Sequence, residues 1–472
     1  MLVKRKNITL SYTFILISSF FYVYIEYFLP RTSFYTLIIL WFSLFGFSFY
    51  LIQHSQIGIK KLFYIGILFR ILLLIAIPPL SQDFNRFIWD GRILFEGFNP
   101  YLTTPQFLIE NNTVSIQDGN QLFKAMGMLN ASNYSNYPPI SQLGYYIAAI
   151  FGSKSIITSI IVMRCQLILA DIGIFYFGKK ILQFLKLPEK NIFLYFLNPF
   201  VILELTGNLH YEPVMVFFLI ISLYFLFKQK WILSAILLGI SINVKLLPLI
   251  FIPVFAGYFL ESPVLSKSLK YSISNLFVNR KKIIKYLSYC FVAIGVNIIL
   301  FLPFVNEDFL INYGSSVGLW FKSFEFNASI YYVIRWIGYQ TVGYNIIGTV
   351  GKILPLFVIL FVILISLFKR NNKLEILMSS LLFCICIHLA LTTTVHPWYL
   401  SLPIALSIFT RYNYFTYVWT AVIIFSYSAY ANENFQENLL FVTLEYLVVI
   451  GVLIYEFYIQ KSINNLSSIK NI

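Results

Sequence analysis

Two carboxylates and a guanidinium fall close together in Asp83-Phe-Asn-Arg-Phe-Ile-Trp-Asp-Gly-Arg92, and the stretch runs on to Gly97-Phe-Asn-Pro-Tyr101. Read as a helix, Asp83, Arg86, Phe87, Asp90 and Leu94 share one side, at the i, i+3, i+4, i+7 spacing. Arg86 then lies between the two acids, and a fixed cation there holds both ionised at neutral pH. A long apolar run precedes the stretch, which sets it at a membrane face. A carboxylate at that boundary can take a proton from an acceptor hydroxyl as a bond forms. The bland alternative is a helix cap plus a surface ion pair, each contributing little. Trp89, Gly91 and Asn99-Pro100 in the same stretch weigh toward chemistry.

Three further stretches carry groups of the same kind. In Gly207-Asn-Leu-His-Tyr-Glu-Pro213, Pro213 suits a helix start, and His210 and Glu212 face the same way if extended. Two such ligands do not make a metal site, so no cofactor is certain and a divalent metal stays an open question. In Thr392-Thr-Thr-Val-His-Pro-Trp-Tyr-Leu400, Pro397 marks another helix start beside His396, and free N–H groups there favour phosphate. Trp398 and Tyr399 fit an aromatic belt equally well. Asn243-Val-Lys-Leu-Leu-Pro248 sets Lys245 inside an apolar run, where a lipid phosphate is one partner and snorkelling to the interface the alternative. Arg164 and Asp171, seven apart on one helix face, are expected to neutralise each other, with Arg164 facing the outer site as the alternative. His388, in mid-span, reads as a hydrogen-bonded core residue.

The elements that must hold these groups are membrane spans. The chain has 472 residues, 59% hydrophobic and 19% aromatic, with 11% charged and a mean hydropathy of +0.78. Apolar runs fall at 8–29, 33–53, 61–80, 155–178, 190–206, 212–228, 231–244, 246–260, 284–304, 345–368, 374–391, 397–410, 413–431 and 438–459. Several are short, so tilted pairs or broken helices are expected, and the count is about 11 to 14. The expected fold is an all-α polytopic membrane bundle. Lys4-Arg5-Lys6 precedes a run too long for a signal-peptide core and reads as the flank of a retained first span. All four cysteines lie in apolar runs, which argues against disulfides.

One orientation sorts nearly every charge. With both termini cytoplasmic, the inner loops hold Lys60-Lys61, Lys179-Lys180, Lys186, Lys190, Lys228, Lys230, the block Lys267 to Lys285, Lys369-Arg370, Lys373, Arg411 and Lys461. The outer side receives Asp83, Asp90, Glu96, Glu110, Asp118, Glu307, Asp308, Glu325, Glu433 and Glu437. The net charge of +15 is thereby explained without nucleic acid. The chain divides into helices at 1–80, a first outer loop at 81–154, helices at 155–304, a second outer loop at 305–344, and helices at 345–472. The first loop contains Asn136-Tyr-Pro-Pro-Ile-Ser-Gln142 and a short apolar stretch, 143–151, able to lie flat on the membrane. The second mixes aromatic and polar residues around Trp320, too aromatic for a disordered loop. No Walker-type, dinucleotide, His-Glu-x-x-His, Gly-x-Ser-x-Gly or Asp-x-Asp pattern is present. With no nucleotide site, a donor used at the outer face has to be lipid-borne.

Asp83-x-x-Arg-Phe-x-Trp-Asp-Gly-Arg92 with Gly97-x-Asn-Pro-Tyr101 resembles the first outer-loop motif of bacterial GT-C-fold glycosyltransferases, in particular the polyprenol-phosphate-mannose-dependent mannosyltransferases. Tyr137-Pro-Pro139 with Gln142, Asn198-Pro199, His210-x-Glu212, Lys245-Leu-Leu-Pro248 and His396-Pro-Trp-Tyr399 are similar to further family motifs, in matching order across residues 60–410. Phe87 stands where Tyr is common, and Glu212 where Asp is frequent. The resemblance implies a GT-C-like bundle in the cytoplasmic (inner) membrane. It also implies inverting transfer of a hexose, mannose first, from a polyprenyl-phosphate-linked donor to a glycan or glycolipid acceptor on the outer side. By carry-over Asp83 is the base. The physical reading gives Lys245, Arg86 and the helix starts near His210 and His396 the leaving phosphate. Asp90 either orients Arg86 or binds a sugar hydroxyl, and Trp89, Tyr137, Trp320 and Trp398 are candidates to stack on sugar rings. Two other classes stay in view: a transporter or flippase, which predicts repeated halves and paired mid-membrane charges, and a polysaccharide polymerase or ligase.

Overall fold

The computed structural model describes residues 2–260, 280–322, 324–369, 371–432 and 434–469. Of the charges used for orientation, Arg370, Glu433 and the part of the Lys267 block before residue 280 lie outside them, as do the side chains of Trp320 and Lys461. Among the described residues the chain is helical, and its one β-pairing is an isolated bridge between Phe326 and Thr394.

Seven of the helices are long and apolar enough to cross a membrane: Ile8–Phe28, Phe34–Gln53, Ile156–Phe184, Arg280–Phe304, Ile347–Phe368, Leu374–Leu391 and Leu439–Gln460. Val201–Gly207 and Glu212–Phe227 would together make an eighth, but they meet at 109°. Trp231–Val244 and Leu247–Phe259 are apolar and shorter. Large apolar side chains such as Leu16, Phe28, Phe291, Ile299, Leu356 and Leu447 stay exposed on the long helices. Apolar surface of that extent needs lipid, not water, around it. The protein is an all-helical, multi-pass membrane protein.

Eleven helices position the candidate site. They are α1 (Leu2–Phe28), α2 (Phe34–Gln53), α3 (Ile59–Ile71), α4 (Asp83–Phe95), α5 (Pro105–Glu110), α6 (Gly119–Ala131), α7 (Pro139–Gly152), α8 (Ile156–Phe184), α9 (Phe193–Phe196), α10 (Glu212–Phe227) and α11 (Trp231–Val244). The segment 81–154 is therefore largely helical. Its stretch 143–151 belongs to α7, whose buried face includes Ser141, Gln142, Tyr145, Ala148 and Ala149. Tyr145 stacks on Phe87 of α4 with ring centres 4.8 Å apart. The two helices come close enough that a Cβ at Gly91 would stand 2.2 Å from the Tyr145 carbonyl oxygen. That contact explains the glycine in Asp90-Gly-Arg92.

Two helices break on their way to the site. Helix α3 stops at Ile71 and turns through residues 72–75, while Val201–Gly207 winds as a π-helix and ends before Asn208. Broken helices leave carbonyls without intrahelical partners, a heavy cost in an apolar setting. Arg164 of α8 meets both ends. It donates to Leu74 O at 2.9 Å, Ala76 O at 2.8 Å, Thr206 O at 3.1 Å and Gly207 O at 2.6 Å, and also to Leu73 O. The expected Arg164–Asp171 pair is thus corrected. Seven residues are about 10 Å along a helix, and each group has a closer partner across the bundle. Asp171 takes Arg70 at 2.7 Å, with Tyr195 and Thr206 hydroxyls at 3.1 and 3.3 Å.

Two stability outcomes follow from these contacts. Arg164→Met strands several buried carbonyls, each worth about 1–3 kcal/mol, so the unfolding midpoint in detergent should fall steeply; an unchanged midpoint would refute the capping role. For Gly91→Ala, helix propensity favours alanine by about 1 kcal/mol, whereas the backbone clash costs about 1–3 kcal/mol. A lowered midpoint is expected, and a raised one would show that α4 and α7 can separate freely.

Candidate active site

Asp83 is the first residue of α4 and is half-buried. A helix start favours a carboxylate, and Asn130 of α6 donates to Asp83 Oδ1 at 3.4 Å. Burial nevertheless raises the Asp83 pKa from its ordinary 3.8, against the Lys245 charge and the Asn130 hydrogen bond, which both lower it. The expectation that Arg86 holds both acids ionised is corrected for Asp83, on which the acting cation is Lys245. Arg86 turns to Asp90 alone, Nε to Oδ1 at 2.7 Å. It spends Nη1 on Asn133 O at 2.9 Å and on Asn130 O. Asp90 is fully buried and accepts from Ser135 Oγ at 2.7 Å and Gln142 Nε2 at 3.1 Å. Its carboxylate is occupied by these three partners, so of the two roles expected for Asp90 the geometry offers the orienting one. The i+4 spacing is real, but the two side chains knit α4 to the 130–142 segment instead of lining a pocket.

The cation whose charge acts on Asp83 is Lys245. It follows directly on α11, where the chain turns extended, and it is placed by a junction between α7 and α11. Asn243 Oδ1 accepts from Ile140 N at 3.1 Å, and Ser141 Oγ donates to Val244 O at 2.8 Å. Pro138 and Pro139 lead into α7 without N–H groups of their own, which suits a tight helix start. Tyr137 is thereby brought beneath Lys245, with Nζ 5.9 Å from its ring centre. Lys245 also pairs with Glu212, the first residue of α10, whose side chain is fully buried. A lysine paired in this way is not simply snorkelling.

The 109° break sets His210 in the turn between the two halves. Its imidazole stacks on Trp398 at 3.9 Å, and Trp398 stacks on His396 at 4.5 Å, nearly parallel. Phe324 and Phe326 pack against His396 at 5.7 and 5.2 Å. Backbone bonds hold that second segment in place, Phe326 N to Thr393 O at 3.1 Å and Val395 N to Phe326 O at 2.8 Å. Burial, with the Lys245 charge adding to it, pushes the His396 pKa down to about 3, so the ring is neutral. Pro397 opens a 3-10 turn, Pro397–Leu400, that runs directly into the helix Ser401–Ser407, so a helix start does stand beside His396.

The structure thus gathers Asp83, Tyr137, His210, Glu212, Lys245, His396 and Trp398 around one locus, with Phe87 reaching both Tyr137 at 5.0 Å and His210 at 6.4 Å. Arg86 and Asp90 lie behind it. Trp89 is removed from the candidate sugar-stacking residues, because it is fully buried, packed toward Gly119 at the start of α6. Trp398 is nearly buried, its ring already engaged by two imidazoles. Sequence reasoning does not find Asn130, which reaches Asp83 only through the fold of α6. Glu204, 3.6 Å from His210, did carry a signal: an acid inside an apolar run. Among the described residues no group of three His, Cys, Asp or Glu side chains is arranged to hold a metal ion.

Comparison with known proteins adds one finding. The MptA_B family model, described as alpha-(1->6)-mannopyranosyltransferase, N-terminal domain, matches residues 7–261, a range that holds Asp83, Tyr137, His210, Glu212 and Lys245. No match is found among curated proteins. The family match covers more than half of the 472 residues, and on it the chain belongs to the alpha-(1->6)-mannopyranosyltransferase family, as a glycosyltransferase built into a bundle of membrane helices.

Proposed function

We propose that this mannosyltransferase moves mannose from a polyprenyl-phosphate-linked donor to a hydroxyl of a glycan or glycolipid at the outer face of the cytoplasmic membrane, with inversion. The observation that carries the reading is a half-buried Asp83 that feels the Lys245 charge, at a locus shared with two imidazoles and aromatic rings. Asp83 takes the proton of the acceptor hydroxyl as its oxygen attacks the anomeric carbon. The bond from that carbon to the phosphate oxygen breaks on the opposite side, and the electron pair leaves with the lipid phosphate. Lys245 meets the growing negative charge. A single displacement needs one base and no second carboxylate nucleophile. Inversion toward the alpha linkage named for the family requires a beta-linked donor.

The raised pKa suits the base, because a carboxylate with a higher pKa is a stronger proton acceptor. The outer placement rests on the distribution of charge. Lys60-Lys61 at the start of α3, Lys179-Lys180 near the end of α8 and Lys228 just after α10 are assigned by the alternation of apolar runs, under the positive-inside rule, to the cytoplasmic side, opposite the Asp83 stretch. A lipid-borne donor agrees with that side and with the absence of a nucleotide motif.

In nanodiscs supplied with polyprenyl-phosphate-linked mannose and a mannoside acceptor, Asp83→Asn should cut kcat about 10²- to 10⁴-fold, the usual worth of a general base, while the protein stays folded. Activity within a few-fold of wild type would remove Asp83 as base. The pH profile offers an independent check. Protonation disables the base, and burial raises the Asp83 pKa, so the acidic limb of kcat/KM should lie above the ordinary 3.8. A limb at or below that value would contradict the assignment.

A further inference from the structure

Glu204 stands in the π-helical half of the broken span and is fully buried. One of its oxygens is well held: Oε2 accepts from the Tyr427 hydroxyl at 2.5 Å and from Asn208 Nδ2 at 3.0 Å. The other, Oε1, has no hydrogen-bond partner and lies 3.6 Å from Nε2 of His210. Neither ring nitrogen of His210 has a hydrogen-bond partner, although the residue is 1% exposed. Buried polar atoms left without partners need an explanation, and here two of them face each other. The imidazole cannot turn away, since it is stacked on Trp398 and edged by Phe87.

We propose that Glu204 is a positioning residue for His210: it keeps the imidazole proton on Nε2, which leaves Nδ1 as an acceptor for a hydroxyl of the transferred sugar. In its ionised form the Glu204 carboxylate is an acceptor only, so a lone pair on Nε2 would oppose it and a proton there is drawn to it. The 3.6 Å separation exceeds a formed hydrogen bond of about 2.7–3.2 Å. Such contacts tighten when substrate arrives. Tyr427 and Asn208 fix which oxygen is left for the ring, and the break at residues 208–211 places the ring beside Lys245 and the reacting centre. The site so formed selects a neutral hydroxyl-bearing ligand at Nδ1, next to the lysine that meets the phosphate. The inference rests on the mannosyl-transfer reading for the identity of that ligand, and on geometry alone for the tautomer.

The test uses full-length protein in nanodiscs with ¹⁵N-labelled histidine. The chain has four histidines, so a His210→Asn difference spectrum isolates this ring. Wild type should show the proton on Nε2. In Glu204→Gln, the donors Tyr427 and Asn208 claim the amide oxygen, the amide N–H₂ faces the ring, and the proton should move to Nδ1. The same variant should lower kcat/KM for the mannosyl donor roughly tenfold, the worth of one reversed hydrogen bond, and Glu204→Asp should recover part of it. On a His210→Ala background, Glu204→Gln should have no further effect. A wild-type ring protonated on Nδ1, a tautomer unchanged in Glu204→Gln, or additive losses in the double variant would each overturn the inference. The wild-type spectrum decides the matter even if Glu204→Gln fails to fold. If wild-type protein transfers no mannose, the functional reading falls while the tautomer result still stands on its own.

Discussion

A guanidinium that bonds only to carbonyls is the joint on which the site turns. Arg164 accepts no carboxylate partner among the described ion pairs; its donors go to the ends of two interrupted helices. One of those ends, residues 73–76, leads to α4 and Asp83. The other, residues 206–207, leads to His210 and Glu212. Hydrocarbon supplies no donors, so a helix can stop within it only where protein groups satisfy the exposed carbonyls. By serving both breaks from α8, Arg164 fixes the two irregular segments relative to one another. Asn208 adds a second tie, accepting from Leu80 N at 3.1 Å. Glu26 comes close at Gly207, where a Cβ would stand 1.8 Å from its Oε1, so any other residue there would have to displace that carboxylate.

The same economy governs the rest of the pocket. Side-chain amides and hydroxyls, not regular helix ends, hold Lys245 and Tyr137 together, through Asn243 and Ser141. The Arg86–Asp90 pair serves a comparable purpose for the 130–142 segment. The charge of Arg86 and Asp90 is consumed in building the scaffold, and a small residue of charge is left for chemistry. Paired buried ions of this kind add little net stability; what they contribute here is a defined placement of chain segments far apart in sequence.

Much of this is legible in the sequence. Span-length apolar runs specify a membrane bundle because lipid tolerates few alternatives. The Asp83 to Tyr101 stretch declares itself because charge beside a membrane is expensive and its groups are close in sequence. Local spacing failed where tertiary partners were nearer. Helical geometry puts Asp83, Arg86 and Asp90 on one side, yet Asn133 and Ser135 draw the latter two inward, out of line with Asp83. Arg164 and Asp171 share a face but sit two turns apart, and Arg70, in an unremarkable apolar context, takes the acid. His210, Trp398 and His396 were each visible as unusual residues beside a proline. That they form one stack depends on a 109° break, and a sequence marks such a break only by the shortness of its apolar runs.

Counting the charges that remain at the locus sharpens the functional reading. His396 is neutral, Arg86 is committed to Asp90, and Lys245 is shared between Glu212 and the surroundings of Asp83. A pocket with one ammonium set against Asp83 and Glu212, and with Glu204 behind His210, holds little attraction for a phosphate that keeps its charge unchanged. On the proposed mechanism that balance shifts during the reaction. Asp83 becomes neutral as it accepts the proton, while the bridging oxygen of the departing phosphate gains charge. Lys245 is then opposed by one carboxylate fewer at the moment the leaving group needs it most. An arrangement of that kind favours the transition state over the bound donor, which is the condition for faster turnover and not merely tighter binding.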